Sequence, residues 1–137
     1  MNTSTNFPDA ATTASPRHIP YRALAYWIAT LLVIAELVVG GIWDILRIPY
    51  VRDLMPHLGY PTYFLVLLGI WKLLGAVALL LPGRPVVKEW AYAGVFFVYS
   101  GAIVSHLTAG YARGTVGVLV VLIALTITSW VTGRPSR

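Results

Sequence analysis

The sequence predicts an all-α integral membrane protein, a bundle of four transmembrane helices. Two observations support this fold class. Of the 137 residues, 58% are hydrophobic and only 11% are charged, whereas soluble domains carry about 25% charged residues. The apolar residues are also gathered into four long segments. The length suits one compact domain.

Each apolar segment is long enough to cross a membrane. The segments have about 17–22 residues, and roughly 20 helical residues span the ~30 Å hydrocarbon layer. None shows the strict polar–apolar alternation of a membrane barrel strand. We predict spans near residues 23–43, 63–81, 90–107 and 115–131.

Polar segments flank the predicted bundle of residues 21–132. Residues 1–20 are polar and proline-rich, which predicts a disordered tail rather than a signal peptide. Residues 133–137 form a short basic tail. The net charge is +5, but the basic residues are scattered between apolar segments, so we predict no nucleic-acid partner. The chain has no cysteine, which excludes thiol chemistry within it.

The distribution of lysine and arginine predicts the orientation. Cytoplasmic ends of membrane helices are enriched in these residues. One side of the predicted bundle carries more of them than the other, so we expect both termini to be cytoplasmic. The richer side has Arg17, Arg22, Arg84, Lys88, Arg134 and Arg137, and the other side has Arg47, Arg52 and Arg113.

Two ionisable residues, Glu36 and Lys72, lie well inside the predicted spans. A charge at this depth costs about 2.5–3.5 kcal/mol on insertion scales and normally finds a partner. With a rise of ~1.5 Å per residue, Glu36 lies ~10 Å and Lys72 ~15 Å below the outer surface. A lysine stem bridges such a difference of one helical turn. We therefore predict a Glu36–Lys72 ion pair.

Helical stripes bring further polar groups to this depth. Glu36, Gly40, Trp43 and Arg47 recur at spacings of four, three and four residues, and Asp44 lies beside them. In the third span, tyrosines and a histidine recur at every seventh position, and a serine precedes the histidine. We predict that polar residues converge in the outer half of the bundle, namely Glu36, Asp44, Lys72, Tyr99 and His106, with Ser105 next to them.

A purely structural interpretation remains open beside this one. A buried ion pair can serve only to set helix register, Tyr92 and Tyr99 can be packing residues, and His106 can bond across helices. The glycines at 69, 75, 94 and 101 are expected to permit close helix contacts. The connection RIPYVRDLMPHLGYPTY either caps the outer mouth or is an ordinary interfacial loop.

No metal site is predicted, because the three histidines are far apart in sequence and only His106 lies within a span. A haem held by two histidines would require His57 to fold over His106, which we do not expect. No phosphate loop, nucleophile elbow or dinucleotide fingerprint occurs. Catalytic residues are therefore not assigned from the sequence.

Several runs resemble the DoxX-like family of small membrane proteins. They are GIWDILRIPYVRDLMPHLGYPTYF, LGIWKLLGAVALLLPG, KEWAYAG and SH, and the resemblance covers residues 26–108. It implies a four-helix protein of the bacterial cytoplasmic (inner) membrane. Relatives resemble quinone-linked redox subunits, including the small subunit of a thiosulfate:quinone oxidoreductase. The resemblance carries over to the matching polar positions Glu36, Asp44, Lys72, Ser105 and His106.

The chain departs from the family pattern in the third span. The pattern implies an acidic residue near Val98, in a Phe-Phe-Asp-like run, whereas this sequence reads FFVYS. Tyr99 is the neighbouring polar residue.

Three functional hypotheses follow. The first is a redox accessory that holds a quinone or similar apolar molecule in a polar pocket and depends on a partner protein for electrons. The second is a structural or assembly subunit without ligand chemistry. The third, a small carrier or proton pathway, lacks the inverted repeat typical of carriers. A homo-oligomer stays open under each.

Overall fold

The computed structural model describes residues 21–110 and 113–133, which form five α-helices. The helices are α1 (Tyr21–Leu46), α2 (Pro49–His57), α3 (Tyr63–Leu80), α4 (Pro85–Thr108) and α5 (Arg113–Gly133). Helices α1, α3, α4 and α5 are long and apolar enough to cross a membrane, which confirms the four predicted spans. The predicted tails lie outside the described residues, except Gly133, which ends α5.

Three spans, α1, α4 and α5, are longer than the apolar pattern predicts. Helix α1 continues past Trp43 and includes Asp44, and α4 begins at Pro85 instead of Trp90. A helix can continue beyond its apolar stretch because its hydrogen bonds are made within the backbone. Proline is also favoured in the first turn of a helix, where its missing N–H has no intrahelical role.

The four spans form a ring in the order α1, α3, α4, α5. Helices α1 and α4 each pack against both α3 and α5. Within the described residues, the diagonal pairs α1–α4 and α3–α5 make no backbone contact. Side chains fill the centre of the ring instead, and the buried core consists of Val33, Leu37, Ala76, Leu79, Val95 and Tyr99.

The closest helix crossing joins α1 and α3 at two glycines. A methyl group added at Gly69 would lie 2.5 Å from the Gly41 carbonyl oxygen, and one added at Gly41 would lie 3.0 Å from the Gly69 carbonyl oxygen. Small residues allow this approach in membranes. The prediction of a close contact is thus confirmed for Gly69. It is wrong for Gly94 and Gly101, where an added methyl group meets nothing within 4 Å.

The sequence predicts that the connection between α1 and α3 is either a cap over the outer mouth or an ordinary loop. In the structure this connection contains helix α2. Arg47, the residue after helix α1, has a positive φ of 49°, and the N–H of Ile48 bonds back to the Trp43 carbonyl. Gly59, two residues after helix α2, has a φ of 80°, and the N–H of Tyr60 bonds back to the Met55 carbonyl in the same way. Two such left-handed turns reverse the chain and place α2 beside the start of α3, with Met55 buried. We call this end of the bundle the α2 end.

Hydroxyl groups hold the opposite end of the bundle together. Ser129 of α5 is fully buried and lies 2.6 Å from the Thr30 hydroxyl of α1 and 2.7 Å from the Tyr92 hydroxyl of α4. The Trp130 indole N–H donates to Glu89 at 2.6 Å. Such bonds join membrane helices, so three spans are tied together here.

Candidate functional site

The lysine inside α3 meets two carboxylates of α1. Lys72 Nζ lies 3.4 Å from Glu36 Oε1 and 3.1 Å from Asp44 Oδ2. Glu36, Gly40 and Asp44 are each four residues apart, so they follow one face of α1, and Lys72 stands one turn from the close crossing at Gly69. The predicted Glu36–Lys72 pair is present. Asp44, which the sequence left without an assigned partner, shares the ammonium.

Tyr99 joins this group from the third side of the bundle. Its hydroxyl donates a hydrogen bond to Glu36 Oε2, and its side chain is buried in the core. Glu36 therefore has one oxygen facing an ammonium and the other facing a phenol. Tyr99 packs in the core as expected, and it also positions Glu36. We call Glu36, Asp44, Lys72 and Tyr99 the polar cluster.

Gly40 provides the space in which the ion pair forms. A methyl group at this position would lie 2.8 Å from Glu36 Oε1 and 2.9 Å from Lys72 Nζ. Both distances are shorter than carbon makes to oxygen or nitrogen without displacement, so a side chain here would push the pair apart. Gly40 thus leaves the space that the ion pair occupies, although its own atoms carry no chemistry.

The polar cluster has an uneven charge. It contains one formally positive group and two formally negative groups. Asp44 Oδ2 is buried and accepts no hydrogen bond from any residue in the described ranges. Lys72 Nζ is near enough for an ion pair, but the contact does not have hydrogen-bond geometry. Buried polar atoms normally have a hydrogen-bond partner, and within the described residues this oxygen has the ion pair with Lys72 instead.

The cluster faces a large cavity of about 1470 Å³. Its other walls are mainly apolar residues from all five helices. The cavity is also lined by the six polar residues that the sequence predicts for the site, namely Glu36, Asp44, Lys72, Tyr99, Ser105 and His106. The charged groups of the polar cluster therefore stand at one place on a mainly apolar surface.

Ser105 and His106 lie apart from the polar cluster, at the α2 end. The Ser105 hydroxyl is 2.9 Å from the Tyr60 hydroxyl, which ties the segment after α2 to α4. His106 is buried, and its Nδ1 lies 2.8 Å from the Ala102 carbonyl oxygen. His57 and His106 both line a second cavity of about 380 Å³, beneath α2. The predicted convergence thus holds for four residues, and His106 borders the same cavity at its end.

A family model matches residues 28–129, about the whole of the bundle. The chain belongs to the DoxX-like family. This confirms the resemblance carried by the sequence runs. Four apolar helices make this DoxX-like protein a multi-pass membrane protein. Comparisons with curated proteins and with solved structures found no match.

Sequence reasoning missed Gly40 and Tyr60 as contributors to the site. The position of Gly40 on the same helical stripe as Glu36 could have indicated its role. No sequence feature could have indicated the role of Tyr60, because its contact with Ser105 joins residues far apart in the chain.

Proposed function

We propose that this DoxX-like protein binds a quinone or a similar apolar molecule within the membrane and serves as a redox accessory. One observation carries the proposal, namely that a single cavity joins an acid–base cluster to long apolar walls. Ligand sites are mostly apolar with a few convergent polar groups, and ionisable residues inside a membrane are candidates for functional sites.

The side chains of the cluster suit proton handling. Reduction of a quinone takes up electrons and protons in equal number. Glu36 and Asp44 can give and accept protons, and Lys72 can hydrogen-bond a carbonyl oxygen. The electrons are assigned to a partner protein, since these groups hold protons and the chain has no cysteine.

A structural subunit is the competing function, and one observation favours it. Lys72 links α3 to α1 next to the Gly41–Gly69 crossing, so the ion pairs also hold that crossing in register. A role in register requires the pairs for folding only. A binding site requires their charges for ligand retention as well.

Solvent extraction and mass spectrometry of the detergent-purified protein separate the two functions. The matched variant combines Glu36→Gln, Asp44→Asn and Lys72→Met, which removes every formal charge of the cluster while nearly preserving side-chain size. We expect a quinone or a quinone-like molecule in the wild type and a loss of at least about tenfold in the folded variant. Folding is checked by circular dichroism. A folded variant with undiminished ligand, or a wild type without any, would contradict the proposal.

We further propose that the α2 end faces outward and that both termini are cytoplasmic in the bacterial inner membrane. Because the chain has no cysteine, an introduced thiol is the only one present. Pro82→Cys in the α3–α4 turn is expected to resist a membrane-impermeant maleimide in intact spheroplasts, and Thr62→Cys at the α2 end is expected to react. Both residues are exposed, and neither change alters the charge pattern. If Pro82→Cys reacted and Thr62→Cys resisted, the orientation of the protein in the membrane would be the reverse of the one proposed.

A further inference from the structure

We infer that the site takes a single-chain lipid with a neutral, hydrogen-bond-donating head, whose tail lies along Gly94 and Gly101 of α4. This rests on the proposed function in assuming that the cavity is occupied by an apolar molecule. It adds the class of ligand, the position of its tail and the path by which it enters.

The two glycines form an unfilled track. Both line the large cavity, and an added methyl group at either one meets no atom within 4 Å. They are seven residues apart and so lie on one face, ~10 Å along the helix. Helix contacts do not require glycine here, in contrast to the crossing at Gly41 and Gly69. The open space in front of them is where we place the chain.

The track opens to the membrane between α3 and α4. Trp71 of α3 and Phe97 of α4 line the cavity and are 52% and 69% exposed. Walls this exposed belong to an open cavity rather than an enclosed one, so we place its opening toward the lipid here. The hydroxyl bonds of Ser129 join α1, α4 and α5, and the ion pairs of Lys72 join α3 to α1.

The dimensions of the cavity suit a chain rather than a compact molecule. Its lining on α4 runs from Val87 to His106, which is ~28 Å along the helix axis and close to the thickness of the hydrocarbon layer, ~30 Å. Its volume of about 1470 Å³ exceeds the roughly 300–1,000 Å³ of sites for drug-sized ligands. The polar cluster occupies one part of this length and leaves the rest for a tail.

The cluster selects the head. Two carboxylates against one ammonium disfavour a head with net negative charge by like-charge repulsion, which excludes fatty acids and anionic phospholipids as the preferred ligands. Asp44 Oδ2 is a buried acceptor that receives no hydrogen bond within the described residues. A hydroxyl head, such as that of a quinol, supplies the missing donor.

Binding of three probes to the purified, ligand-stripped full-length protein tests the inference: decylubiquinol, the tailless ubiquinol headgroup and oleate. Tryptophan fluorescence reports binding, since Trp43, Trp71 and Trp90 line the cavity. In the wild type we expect decylubiquinol to bind at least about tenfold more tightly than either other probe, which corresponds to about 1.4 kcal/mol.

The variant Gly94→Leu/Gly101→Leu fills the track. We expect it to weaken decylubiquinol by at least about tenfold and to leave the tailless headgroup unchanged. Gly117→Leu is the matched control, because Gly117 is also an exposed helical glycine with open space but does not line the cavity. If the double variant does not fold, Gly101→Leu alone is used.

The outcomes distinguish the inference from the proposed function. A wild type that binds none of the three probes contradicts both. Tight binding of decylubiquinol that the leucines do not weaken, or oleate binding as tight as decylubiquinol binding, overturns the inference and leaves the proposed function standing. Binding is compared only for variants that circular dichroism shows to be folded.

Discussion

Lys72→Met is expected to lower the free energy of unfolding by about 3–5 kcal/mol, the cost of leaving a buried charge without its partner. The loss is large because the ammonium serves two carboxylates, Glu36 at 3.4 Å and Asp44 at 3.1 Å. Methionine keeps the length and apolar stem of lysine, so packing changes little. Unfolding in mixed micelles with increasing dodecyl sulfate, followed by the fluorescence of the five tryptophans, measures the change.

Charge removal in the partners should restore stability in steps. Glu36→Gln added to Lys72→Met leaves Asp44 charged and unpaired, so recovery is expected to be partial. Adding Asp44→Asn should return the unfolding free energy to within about 1 kcal/mol of the wild type. Lys88→Met is the control, because Lys88 forms no ion pair with the described residues. Equal losses of unfolding free energy in Lys72→Met and Lys88→Met would show that the ion pairs of Lys72 with Glu36 and Asp44 do not stabilise the fold.

Gly69→Ala is expected to destabilise the protein by about 1–3 kcal/mol through overpacking. The new methyl group would stand 2.5 Å from the Gly41 carbonyl oxygen and 2.7 Å from Ile45 Cγ1. The Gly41 carbonyl oxygen belongs to the helix backbone and cannot rotate away as the end of a side chain can. The two helices α1 and α3 must therefore move apart. Lys72 lies one turn further along α3 and would move away from its carboxylates. The same titration measures the loss.

Gly117→Ala is the matched substitution for this prediction. Gly117 also lies within a span, but nothing stands within 4 Å of an added methyl group. Alanine is a better helix former than glycine by up to about 1 kcal/mol, so this variant should be neutral or slightly stabilised. Similar losses at Gly69 and Gly117 would refute the close crossing. A loss of ligand from folded Gly69→Ala protein, beyond its unfolded fraction, would tie the crossing to the site.

The sequence by itself determined the membrane architecture. The length and hydropathy of four segments are local properties, and a bilayer admits few folds for them. The depth of Glu36 and Lys72 followed from helical rise alone, which is why their pairing was predictable. The boundaries of the helices were less predictable. Helix α4, for example, begins at Pro85, among charged residues that a hydropathy pattern excludes from a span.

Only the tertiary structure decided how the site is built. Tyr99 meets Glu36 across the bundle and Tyr60 meets Ser105 across the cavity mouth, and no local pattern specifies contacts between distant residues. The glycines show the same limit. Gly69 and Gly101 look alike in the sequence, yet one lies in the tightest crossing and the other faces open space. That difference arises because α3 packs closely on α1, while α4 leaves a gap beside α3 for the cavity.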